Sequence, residues 1–253
     1  MLFRSPFAES IVAYTPGTTS PEKYRDPNSA LGAPSQSSSS GGFTSPVNPF
    51  GPAYTPDQLV SVGKGGSITL QVGTPIQNDA ANPFGVDFIL FGNNGFKVDN
   101  FSDPEANWVT DGSLFTFDPA GVSKVWVSEN NLNYYELQVP SGLSATADGL
   151  FPTDGSGSFL FPVNPALHES DFAGKTMDGI RALYAGSAGG TGFDLAWARQ
   201  SDGTAAGIQS ARYIRIDVLD GKIELDAAAV VPEPGVLSYL SLVMVGLLTV
   251  RRR

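Results

Sequence analysis

The sequence predicts an all-β domain, an antiparallel two-sheet β-sandwich, followed by one hydrophobic helix at the C-terminus. Three observations carry this. Short segments alternate apolar and polar residues with period two, which suits half-buried strands. Turn residues punctuate the chain throughout: 29 Gly and 19 Pro in 253 residues leave little room for long helices. The last apolar run, residues 236–250, carries no charge and ends in Arg251-Arg252-Arg253.

Taken in order, residues 1–13 give no clear element. Residues 14–58 are rich in Pro, Ser, Gly and Thr, and the Ser/Gly tract at 35–45 reads as a flexible surface loop. Ser67–Val72 places Ile68, Leu70 and Val72 on one face. Residues 86–91 (VDFILF) are apolar on both faces apart from Asp87, as in a central strand. Further strands are expected at 114–117, 122–128, 134–139, 158–163, 211–218 and 222–230. Helical spacing is confined to a turn from Asn164 to Glu169 and to Thr176–Tyr184, where Met177, Ile180, Leu183 and Tyr184 share a face. The ectodomain is therefore set at 14–230. A closed barrel is the alternative to a sandwich.

Composition excludes several functions. The net charge of −10 is the wrong sign for neutralising phosphates, so no nucleic-acid partner is expected. With no cysteine, thiolate metal sites, thiol catalysis and disulfides are absent, and the single His168 rules out a multi-histidine metal centre. His168-Glu169 with Asp171 lacks a nucleophile elbow, so the chain is not read as an enzyme.

Three features point to binding. Asp99, Asp103 and Glu105 crowd one loop with the hard oxygen ligands that suit a structural Ca²⁺. The turn Asp154-Gly155-Ser156-Gly157-Ser158 is also oxygen-rich, without EF-hand register. Trp108, Trp126 and Trp197 are candidates for stacking on a sugar ring: Trp108 lies in a polar loop, Trp126 is on the face opposite Val125 and Val127, and Trp197 is expected in the core. Asp194, between Phe193 and Leu195, reads either as a ligand contact or as a cap on loop amides, and Asp87 must be paired if buried.

The C-terminus carries the most specific signal. Pro232-Glu233-Pro234 precedes the apolar run 235–250 and the basic cluster Arg251, Arg252 and Arg253. This order resembles the PEP-CTERM sorting signal, whose bacterial substrates are handled by exosortases. Ser238, Tyr239 and Ser241 make the run less apolar than is usual there. As a helix it is about 24 Å long, and snorkelling arginines help it span a bilayer. The positive-inside rule places the arginines in the cytoplasm and the body outside. Export implies a leader. MLFRSPFAES has no apolar core of that kind, so a leader upstream of residue 1 is expected.

The body shows a second resemblance. Ala30-Leu31-Gly32-Ala33-Pro34, residues 59–70 (LVSVGKGGSITL), 88–93 (FILFGN), 125–129 (VWVSE), 189–196 (GGTGFDLA), 212–216 (RYIRI) and Leu225-Asp226-Ala227 occur in the order found in bacterial surface domains that often carry such a tail. The resemblance implies a jelly roll of the galactose-binding type. The biochemical role of those domains is mostly unassigned; together with the tail, the reading is an exported cell-surface or exopolysaccharide-matrix protein, sorted by an exosortase-like membrane enzyme, whose ectodomain is expected to bind polysaccharide. A structural or adhesive role without a small ligand is the alternative, and a glycoside hydrolase comes third.

Overall fold

The computed structural model describes residues 4–40, 43–115 and 121–233. The strands in chain order are β1 (Ala8–Thr15), β2 (Ser37–Ser40), β3 (Phe43–Pro46), β4 (Val60–Gly63), β5 (Ser67–Gln77), β6 (Phe88–Gly92), β7 (Val109–Thr110), β8 (Val122–Ser128), β9 (Tyr135–Leu137), β10 (Lys175–Thr176), β11 (Thr191–Phe193), β12 (Ala198–Arg199), β13 (Ser210–Asp220) and β14 (Lys222–Val230). Two helices are present among the described residues, α1 (Glu169–Phe172) and α2 (Met177–Tyr184), besides short 3₁₀ turns.

The protein is mostly β, and its two main sheets are antiparallel. One has six strands in the order β1-β5-β13-β8-β9-β12, the other four in the order β11-β6-β14-β4. Alternation explains how they meet. Ile68, Leu70, Ile214, Ile216, Val125 and Val127 of the larger sheet share one hydrophobic core with Val60, Val62, Phe88, Leu90, Ile223 and Leu225 of the smaller. Each such side chain removed from water contributes about 1.5–3 kcal/mol. The chain passes from β13 in one sheet to β14 in the other through Gly221 alone, whose φ of 63° suits a residue without Cβ.

The outer face of the smaller sheet is covered as well. Ile89, Phe91 and Ala229 pack there with Phe159 and Leu160. A second aromatic core, Phe50, Phe96, Phe151, Phe172 and Tyr184, sits under the helices, with Phe96 and Phe172 ring centroids 4.8 Å apart. Helix α2 follows the predicted spacing. Thr176 accepts the Gly179 amide at its start, and Ala185 closes it in the left-handed region at φ 51°.

Four expectations are corrected. The sheet begins at Ala8, ahead of the boundary set at 14, and Thr74 N–H reaches back to the Ser5 carbonyl. Part of the Ser/Gly tract 35–45 is a two-stranded ribbon, β2 with β3, because backbone pairing needs no side-chain pattern. Residues 158–163 form turns rather than a strand, with only a bridge from Ser158 to Ser187; Phe159 and Leu160 both go to the outer core, which breaks alternation. Of the strand expected at 114–117, Leu114 makes an isolated bridge with Phe96 and Phe115 lies in no strand, while residues 116 and 117 lie outside the described residues.

Candidate functional site

The loop between Lys97 and Leu114 is an ordered excursion pinned by β7, which pairs with β10. Asn100 organises it. Its Nδ2 donates to the Asn107 carbonyl and to Asp103 Oδ2, each at 2.9 Å, and its Oδ1 accepts the Val109 amide at 2.9 Å. Trp108 Nε1 donates to the Asp103 carbonyl at 2.9 Å. Three aromatic rings then cluster, two of them stacked. Phe50 meets Trp108 edge-on at 6.0 Å, and Phe101 lies over Trp108 at 5.1 Å with an interplanar angle of 25°.

This changes the role expected of Trp108. One of its faces is taken by Phe101, and its edge is held by a hydrogen bond and by Phe50. The ring offered to solvent is Phe101, 72% exposed. Sequence reasoning missed it because a single phenylalanine among polar residues has no periodic signature. The exposed Tyr54 and Phe115 belong to neighbouring loops, with Phe115 against Gly95. The stack is preorganised, so a ligand would meet a fixed apolar plate on a loop where Asp99, Asp103 and Glu105 are exposed.

Those three carboxylates do not form the expected Ca²⁺ centre. Asp103 accepts from Asn100, and Glu105 Oε1 faces Asn48 Nδ2 at 3.4 Å. Among the described residues, no three His, Cys, Asp or Glu side chains come together in a way that could hold a metal ion. The second oxygen-rich turn is likewise committed. Asp154, 2% exposed, takes Arg181 Nε at 2.6 Å and Nη2 at 3.2 Å, besides the Ser156 amide and hydroxyl. Burial pushes the Asp154 carboxyl up, but Arg181 and Ser156 overcome it and hold it below the ordinary value.

Asp194 caps the Ala196 amide at 2.7 Å, the second of its two readings. Asp87 is fully buried and accepts from the Asp79 amide, the Leu195 amide and Asn82 Nδ2 at 2.9–3.1 Å. Burial, opposed by those donors and reinforced by the charge of Asp194, pushes it up to about 6. Trp197 packs in the core, and Trp126 lies on strand β8 beside Lys124.

A cavity of about 290 Å³ opens beside α1. Phe96, Leu150, Phe151 and Phe172 line it, and His168 and Glu169 stand at the same opening. Its volume is near the lower end of small-molecule sites, about 300 Å³. The rings beneath it are almost wholly buried, so they offer edges more than faces.

Strand β14 ends the sheet, and Val231 N–H closes on the Asp87 carbonyl. Pro232 and the exposed Glu233 follow, outside any strand or helix. Pro234, the apolar run 235–250 and Arg251, Arg252 and Arg253 lie outside the described residues. Among the described residues no helix is long and apolar enough to cross a membrane. A scan against protein-family models and a search of curated proteins return no match for the chain.

Proposed function

We propose that this chain is an exported bacterial surface or matrix protein whose β domain holds polysaccharide on the Phe101–Trp108 platform. The carrying observation is the stack itself. An exposed ring is backed by a second ring that is hydrogen-bonded in place, and the same loop carries exposed carboxylates that can accept from sugar hydroxyls. The net charge of −10 argues against an anionic polymer held by ion pairs and favours stacking on neutral sugars.

The fold reading that accompanies it is a jelly-roll sandwich of the galactose-binding type. Its support is the way the chain alternates between sheets: β4 in the smaller, β5 in the larger, β6 in the smaller, then β13 in the larger and β14 in the smaller. Sorting is assigned to Pro232-Glu233-Pro234, whose first two residues follow shortly after β14, with an exosortase-like membrane enzyme as partner. The membrane anchor before processing is the run 235–250.

Sedimentation of the purified protein with a neutral extracellular polysaccharide tests the binding. Phe101→Ala should weaken it by on the order of tenfold, the loss of one stacking contact, with the melting temperature nearly unchanged because the ring is exposed. Trp108→Ala should weaken it further by letting the plate collapse. Binding that is absent from the folded protein, or that survives both substitutions, removes the platform and leaves a structural or adhesive surface role.

A further inference from the structure

The last strand brings an amine, a carboxylate and a carboxamide together out of water. Lys222 and Glu224 are two residues apart on β14, so their side chains leave the same face. Asn93 directly follows β6, whose Gly92 pairs with Leu225. Lys222 Nζ donates to Glu224 Oε1 at 2.8 Å, and Asn93 Nδ2 donates to Glu224 Oε2 at 2.6 Å. One carboxylate thus bridges the two nitrogens. Side-chain exposure is 16% for Lys222 and 3% for Glu224, and Asn93 is buried. Asn93 Oδ1 is buried and has no hydrogen-bond partner among the described residues. The 148–149 turn closes over the group. Asn94 Nδ2 holds the Gly149 carbonyl, and a Cβ on Gly92 would collide with the Asp148 carbonyl.

We propose that Lys222 and Asn93 join in an intramolecular amide bond, with Glu224 as the proton carrier. Glu224, 2.8 Å from Nζ, takes the ammonium proton and frees the Nζ lone pair. Nζ attacks Cγ of Asn93. A second proton passes through the same carboxyl to Nδ2, the Cγ–Nδ2 bond breaks, and ammonia leaves. Glu224 keeps one proton, and the new amide lies beside it. No oxidant, cofactor or second protein is required. The orientation of Asn93 suits the step, because its leaving nitrogen faces the carboxyl that must protonate it. Held neighbours in a dry site react as if at very high concentration. The bond would tie the end of β6 to the start of β14 and close the long chain segment between them. That is the service a disulfide performs, in a chain with no cysteine.

Mass spectrometry of the full chain tests this. The folded protein should weigh one ammonia less than its sequence requires. A digest should yield a branched peptide joining the segments that contain Asn93 and Lys222. A succinimide at Asn94-Gly95 would give the same mass loss without a branch. Lys222→Met and Glu224→Gln should therefore restore the full mass. A full-mass wild-type protein with a cooperative melt overturns the proposal. So does ammonia loss that persists in Lys222→Met. Cross-linking that persists in Glu224→Gln removes Glu224 as the carrier.

Discussion

The protein should lose folding stability as the pH rises from about 4 to 7, the reverse of a protein held by buried ion pairs alone. Asp226 is the main cause. It is 2% exposed on β14, where its two oxygens accept the Ser35 amide and hydroxyl, each at 2.9 Å. Burial pushes its carboxyl up to about 7 even though the Ser35 bonds pull it down. A carboxyl raised in the folded state contributes fully below its unfolded value, near 3.8, and loses that contribution as pH rises through the folded value. Asp226 thus accounts for about 4 kcal/mol across the window, and Asp87, raised to about 6, for about 3 kcal/mol over its lower part. Surface repulsion in a chain of charge −10 grows in the same direction, so a variant must separate the two. Asp226→Asn does so. It keeps an acceptor for the Ser35 amide, and the Ser35 hydroxyl can turn to accept from the new NH₂. Chemical denaturation at pH 4 and pH 8 should show the variant with the shallower loss. An unchanged pH slope would put the effect on the surface charge instead.

How far the sequence reveals this architecture follows from the physics of each element. Residues 211–218 and 222–230 were legible because β13 and β14 are central strands, where each side chain must answer to a buried face. Ala8–Thr15 was not. It is an edge strand with register shifts between Ala8 and Ser10 and between Ile11 and Ala13, and each shift resets the alternation. The platform was legible in part. Trp108 stands out in any polar loop, but its partner Phe101 depends on how Asn100 folds the loop, a set of contacts spread over ten residues. The Lys222–Glu224–Asn93 group was invisible. Asn93 and Glu224 are 131 positions apart, and only the pairing of β6 with β14 joins them. The carboxylates of the 99–105 loop misled for a related reason. One oxygen of Asp103 accepts from Asn100 and one of Glu105 faces Asn48, and no local pattern announces that.

Arg181→Met should lower stability by about 3 kcal/mol at pH 7, through the group it leaves behind more than the one it removes. The Arg181 side chain is 44% exposed, so its own transfer to water costs little. Asp154 is different. Its side chain is 2% exposed, and in the variant it would keep only the Ser156 amide and hydroxyl, at 3.1 and 2.7 Å. A buried carboxylate deprived of its cation costs about 3–5 kcal/mol, and the remaining donors and the half-exposed partner place this case at the low end. In a domain of this size the melting temperature should fall by about 10 °C. The same pair joins α2 to the 152–158 turn, where the Tyr184 hydroxyl also reaches the Pro152 carbonyl, so loosening should centre on the aromatic core beneath the helices. Acid separates this account from a simple packing defect. In the wild type Arg181 and Ser156 hold Asp154 below its ordinary value, so the pair stabilises above about pH 4 and fades as pH falls through the folded value. Wild type and variant should therefore converge towards pH 3 and differ most near pH 7. An equal deficit at both pH values would mean that the arginine's methylenes, not its charge, hold the helix.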